Sequence, residues 1–274
     1  MGILDKVSSS YDALPLAEKE ARNVALACAL EPLSNKPGCV TRWRDENRNT
    51  LEMFVAGGIN VFPAFYHLAE YLERTNWPEG IYQFFKEAIL LSKYSRQGGQ
   101  INQGILEFLC PIVATHILHD AESDKLEVKD LLKKSTETII QTRKEDVSFL
   151  IEGKVFGEEI TRQARGKGYT VHSPDAESVF EYYLMEYKRE QESGEHVTGV
   201  LHNKQFVEGF QDILVTYEAL RDSRRNFSGK VEDAYREVMN KRENLGMGVG
   251  LAADFTAVAI YIALSYLNEQ DFIG

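Results

Sequence analysis

The chain has 274 residues, 31 Lys+Arg against 42 Asp+Glu, a formal net charge of -11, 43% hydrophobic residues and 27% charged ones. That composition excludes a disordered chain, and its acidic balance excludes a protein that coats nucleic acid through unspecific phosphate contacts, though not one that gathers a few cations around a small anion. Cys28, Cys39 and Cys110 stand singly with no CxxC pair, which excludes a disulfide framework and fits a reducing cytoplasm.

Read in chain order, helical periodicity dominates. The first residues show neither a basic n-region nor an apolar run, so no signal peptide is expected, and Lys6 stands where a myristoylation motif behind Gly2 needs Ser or Thr. Ala17, Ala21, Val24, Ala25 and Cys28 mark a helix behind Pro15. Thr50 to Leu72 reads as a second helix, kinked by Gly57-Gly58 and Pro63. Pro78 opens a third, and a fourth begins near Asn102 with Pro111 as its kink. Further helices fit 126–151, 175–192, 203–221, 230–243 and 251–268, while only pieces such as Lys167 to Ser173 look strand-like. The apolar run Leu251 to Leu267 is shorter than a bilayer span and carries Asp254, so it reads as a buried helix with no membrane partner. Gly153 to Pro174 is polar enough for a seam, and Glu190 to His196 reads as a charged loop. The expectation is an all-α fold: a single compact multi-helix domain over 1–274, with its polar turns converging on a central cavity.

Three polar turns interrupt this apolar pattern. They are Glu31 to Arg42, with Lys36-Pro37-Gly38 at its centre; Arg96 to Gly104, with Gly99, Gln100 and Asn102; and Asn244 to Asp254, with three glycines. Glycine admits close approach of backbone N–H groups, and helix N-termini add unpaired donors and a positive dipole end. Lys36, Arg42 and Arg96 can supply full charges for phosphate oxygens. Asp254 and Asp45 can hold magnesium, which takes a few carboxylates and keeps its waters. Each turn alone has a bland reading as a helix end, and Asp254 the bland reading of a carboxylate at a helix start. Together they belong to helices too apolar to leave exposed.

The pattern Glu31…Lys36-Pro37-Gly38-x-Val40-x-Arg42 resembles the E…PKPGxVDR signature of the triphosphoribosyl-dephospho-CoA synthase family. Asp45…Thr50…Phe54-x-x-Gly57 is similar to the segment that follows it, Gly98 to Gly104 to the family's GGxNTxxG turn, and Ala252 to Ala257 to its late (S/T)ADLTA helix start. The order matches across residues 20–267, most weakly over 120–200. The resemblance implies an all-helical, ATP-binding, magnesium-dependent transferase of coenzyme biosynthesis. Such an enzyme moves the triphosphoribosyl group of ATP to a hydroxyl of dephospho-CoA, or a related coenzyme precursor, and releases adenine. It further implies phosphate contacts for Lys36 and Arg42, magnesium or general-base roles for Asp254 and Asp45, a second candidate base in Glu31, and polar substrate contacts for Gln100 and Asn102. Arg96, Gly38, Gly99 and Gly104 complete the expected site.

The chain departs from the family pattern at Thr41, at Trp43-Arg44-Asp45-Glu46, and at Gln100 to Gln103. These departures keep open a pterin-type one-carbon carrier as acceptor, or a non-catalytic assembly protein derived from the enzyme. Other signals have plainer readings. His116 and His119 fit a helix end with no third metal ligand, and His172, His196 and His202 need no function. His67 fits a partly buried satisfied histidine, and Cys39 fits packing. Asp222 fits a partner for Arg224-Arg225, and Tyr182-Tyr183 an exposed helix side or subunit contact, with a homodimer left open.

Overall fold

A computed structural model describes residues 14–46, 49–94, 99–120, 126–166, 170–194, 197–242, 247–267 and 272. Among them there is no strand; the only β pairing is two isolated bridges, Thr41 with Arg44 and Glu46 with Asn49. The fold is all-α, as its periodicity predicts.

Helices α1 (Leu16–Leu30), α2 (Leu51–Asn60) and α3 (Phe62–Thr75) pack on one another. The expected kinked helix from Thr50 is therefore two helices. The break falls at Val61 because Pro63 sits in the first turn of α3, where its missing N–H costs nothing; Gly57 and Gly58 stay inside α2 and are buried. Then come α4 (Tyr82–Lys93), α5 (Gln103–Asp120), α6 (Val128–Ile140) and α7 (Lys144–Arg165). The segment 126–151 thus divides near Thr142, where Asp146 in the first turn of α7 accepts from the backbone N–H of Arg143 at 3.3 Å, Gly80 at 2.8 Å and Tyr82 at 3.0 Å. The expected seam after Gly153 is instead helical as far as Arg165.

The C-terminal part holds α8 (Val179–Ser193), α9 (Val197–Glu208), α10 (Gln211–Asp222), α11 (Phe227–Arg242) and α12 (Val249–Tyr266). Helix α8 takes up most of the expected Glu190–His196 loop. The segment 203–221 divides at Gly209 and Phe210, both in the left-handed region.

Helices α5 and α12 form the centre. Every residue from Ile105 to Ile117 on α5 is buried, and so are Leu251, Ala252 and every residue from Phe255 to Leu264 on α12. By length and composition α12 could cross a bilayer, but two thirds of it is buried inside this protein, the pattern of a core helix. The two helices meet at Phe108 and Phe255, whose ring centroids lie 5.5 Å apart, and Phe206 stacks on Phe108 and on Tyr183. Tyr182 and Tyr183 are buried, correcting the exposed face expected for them. Arg225 pairs with Glu232 and Asp233, while Asp222 is taken by Arg221. His67 pairs with Glu87 at 3.0 Å, and His116 with buried Glu20 at 3.2 Å.

Within the core a charged group, Glu107, is 1% exposed. Its Oε1 accepts from Lys154 Nζ at 2.6 Å and from the Tyr183 hydroxyl at 2.8 Å, and lies 3.2 Å from His202 Nε2. Burial opposes its ionisation, but Lys154 and His202 outweigh that and hold the carboxyl well below the ordinary range. Glu107 therefore contributes stability above its unfolded value near 4.5, and this contribution is lost as pH falls below it. Lys154→Met should destabilise the protein by about 3–5 kcal/mol, because it strands a buried carboxylate; adding Glu107→Gln should recover most of that loss. Urea unfolding between pH 5 and pH 2 should show a shallower acid-side slope in the double variant than in the wild type.

Candidate functional site

The first turn begins where α1 ends. Residues Glu31–Leu33 form a 3-10 turn opened by Pro32, and the chain then folds Lys36 inward until it is 1% exposed. The Lys36 ammonium donates to the carbonyl of Glu31 and, at 3.3 Å, to that of Ser34, and it lies 3.1 Å from Glu31 Oε1. An ammonium can be buried only with such partners. Burial raises the proton affinity of Glu31 and Lys36 works against that rise. Lys36 thus holds the loop together from inside.

Gly38 follows with φ +81, a conformation that suits glycine, and a Cβ there would lie 3.1 Å from Val249 Cγ1 at the start of α12. The Tyr235 hydroxyl on α11 donates to the carbonyl of Pro37 at 2.8 Å, and Cys39 Sγ sits 3.6 Å from the carbonyl oxygen of Val249. Burial first, and the Glu31 charge second, push the Cys39 thiol up to about 11, so it packs as a neutral group. Beyond it, Thr41 and Arg44 exchange backbone hydrogen bonds of 2.8 and 3.2 Å, and the turn between them presents Arg42 and Trp43 to solvent. Asp45 is exposed as well.

The second turn lies against the third. Asn102, 5% exposed with φ +60, precedes α5, and its carbonyl accepts from Leu106 N–H at 2.9 Å. Gln100 donates to Ser92 Oγ and to the Ile101 carbonyl, both at 2.9 Å. Gly104, in the first turn of α5, touches Asp254 on α12: a Cβ on Gly104 would stand 2.1 Å from Asp254 Oδ2. Asp254 keeps slight solvent contact, yet it has no hydrogen-bond or ion-pair partner among the described residues. Burial, then the charges of Glu31 and Glu107, raise its proton affinity well above the ordinary carboxylate range. The positive end of α5 lies beside it and favours its ionised form.

Lys36, Gly38, Glu31, Gly104, Asn102 and Asp254 are therefore brought together by α1, α5 and α12. Arg42 and Asp45 stay on the exposed side of the first turn. Gly99 is buried at the start of the second turn, and Arg96 lies outside the described residues. The charges that raise the proton affinity of Asp254 are those of Glu31 and Glu107, while Asp45 is exposed on the first turn. No cluster of three His, Cys, Asp or Glu able to hold a metal ion occurs among the described residues. Several buried polar atoms lack hydrogen-bond partners among the described residues: Ser34 Oγ, Gln100 Oε1 and both amide atoms of Asn102 in the turns, and Asn49 Oδ1 and the Tyr82 hydroxyl outside them. Such atoms are rare in folded proteins, and each calls for an explanation.

Sequence reasoning missed Glu107, Lys154, His202 and Asn49. Glu107 had a signal, a lone charge in the apolar run from Ile105 to Val113. Lys154 and His202 had none, since both sit in polar stretches and acquire meaning only through their contact with Glu107.

The family model described as CitG, ATP:dephospho-CoA triphosphoribosyl transferase, matches residues 17–243. A crystal structure of an Archaeoglobus fulgidus protein, provisionally described as a triphosphoribosyl-dephospho-CoA synthase, is similar at 15% identity and a TM-score of 0.48, covering 78% of this chain and 98% of that one. No curated protein matches the chain.

Because its proton affinity is raised on folding, ionised Asp254 costs stability as pH rises above the unfolded value near 3.8, and the cost fades as pH falls. Asp254→Asn should therefore raise the thermal midpoint at pH 7–8 by a few degrees and leave it little changed near pH 4. Gly104→Ala should displace the carboxylate and lower the midpoint. Calorimetry on both variants across that pH range checks the pair.

Proposed function

The chain belongs to the ATP:dephospho-CoA triphosphoribosyl transferase family, and on that premise we propose that its three converging turns carry the transfer from ATP to dephospho-CoA. The supporting observation is the Asp254 carboxylate, partnerless among the described residues and held against Gly104, two residues after Asn102, whose buried amide also lacks a partner. The family match favours neither a pterin-type acceptor nor a non-catalytic assembly role.

Transfer breaks the bond from ribose C1′ to adenine N9, whose electron pair leaves with the base. It forms a bond from C1′ to the oxygen of the acceptor hydroxyl, and the proton shed by that hydroxyl ends on adenine. Asp254 is suited to carry that proton. Its raised affinity makes it a stronger base than an exposed carboxylate, and its neighbours Glu31 and Glu107 are already committed to Lys36 and Lys154. Arg42 carries no ion pair among the described residues; its guanidinium lies 5.8 Å from the centroid of the exposed Trp43 ring, and it is the exposed cation of the first turn that can meet the triphosphate. Lys36 supports the loop beneath it.

The residues present do not form a dedicated magnesium cage. Among the described residues no three His, Cys, Asp or Glu side chains cluster, so magnesium would be held chiefly by the triphosphate it accompanies, with Asp254 the nearest candidate carboxylate, and would supply neutralisation of the phosphate charge.

Purified protein incubated with ATP, magnesium and dephospho-CoA should release adenine in step with consumption of the acceptor, read by chromatography and mass. ATP that stays intact beside unreacted dephospho-CoA rejects the reading. Arg42→Ala should raise KM for ATP about ten-fold with a smaller effect on stability, since an exposed cation contributes little to the fold.

A further inference from the structure

Asn102 is a residue type that usually caps a helix, and it stands where the cap of α5 belongs, with its carbonyl taking the first helical hydrogen bond from Leu106 N–H. Yet its side chain makes no cap. Its backbone is in the left-handed region at φ +60, it is 5% exposed, and both Oδ1 and Nδ2 are buried without a partner. Strain and two unsatisfied atoms on one residue at a site point to a group that is met only when ligand binds. Two residues further on, Gly104 touches the Asp254 carboxylate.

The chemistry of the missing group follows from the amide. It presents one acceptor and one donor side by side. A phosphate offers only acceptors and would leave Oδ1 bare, and a single hydroxyl answers one atom well. A purine edge with an exocyclic amine beside a ring nitrogen answers both at the right spacing, which is the pairing asparagine makes with adenine; the same edge of guanine offers two acceptors and leaves Oδ1 facing an oxygen. Resting on the proposed transfer, we propose that the Asn102 amide reads the adenine base at this site, with Oδ1 accepting from the amine and Nδ2 donating to the adjacent ring nitrogen. It thereby selects adenine over guanine and sets the nucleoside next to Asp254. Adenine occurs in both ATP and dephospho-CoA, and the two sources are separable by titration.

Asn102→Gly removes the amide and suits the left-handed backbone, so the fold is retained; Asn102→Asp keeps the shape and loses the donor. Wild type and both variants are titrated calorimetrically with ATP, GTP, dephospho-CoA and inorganic tripolyphosphate. The wild type should prefer ATP to GTP by about ten-fold or more, and both variants should lose that preference while tripolyphosphate binds as before. Loss confined to dephospho-CoA supports the same reading with the acceptor's adenine as the group read. Unchanged affinity for both adenine compounds, or a parallel loss for tripolyphosphate, overturns it. Adenine release by the wild type with selectivity unchanged in the variants sinks this inference alone. Lost selectivity in a protein that never releases adenine sinks the transfer and leaves the base reading standing.

Discussion

The contact between Gly104 and Asp254 is the constraint on which the rest of the site depends. Only a residue without a side chain lets the first turn of α5 approach the α12 carboxylate so closely. That approach makes the two most buried helices of the fold share a polar end. It also puts an acid against the positive end of a helix, one of the few places where a largely buried carboxylate is tolerable without a cation.

The surrounding charges are arranged so that Asp254 differs from its neighbours. Glu31 is answered by Lys36, and Glu107 by Lys154, Tyr183 and His202. Each of those carboxylates stays anionic or bonded, and both act on Asp254 as negative charges. Carboxylates that act on one another are thereby given different proton affinities, the condition under which one of them holds a proton that its neighbours do not. The same arrangement works against stability, which is the usual relation between a reactive group and the fold that holds it.

A second buried network lies toward the other end of α12, where Glu20 on α1, His116 on α5 and Tyr261 on α12 meet. It joins the same three helices that carry the polar turns. Directional bonds at one end and the Gly104 contact at the other set the register of α1, α5 and α12 more narrowly than apolar packing would.

The helical class, the order of the three turns and the candidate carboxylate Asp254 were all legible in the sequence, because period, glycine and lone charges in apolar runs are local signals. Helix boundaries were less so: the helix continuing through Gly153 depends on Phe85 and Lys86, which pack against that glycine. The direction of Lys36 was illegible, since a lysine beside Pro-Gly reads as a phosphate contact or a solvated loop charge, and neither reading foresees that it turns inward onto the carbonyls of Glu31 and Ser34. The burial of Tyr182 and Tyr183, and the roles of Lys154 and His202, were decided by tertiary structure alone. Their meaning lies in Glu107, a residue far away in the chain, and a buried charge chooses its partners by distance in space, which no spacing along one helix encodes.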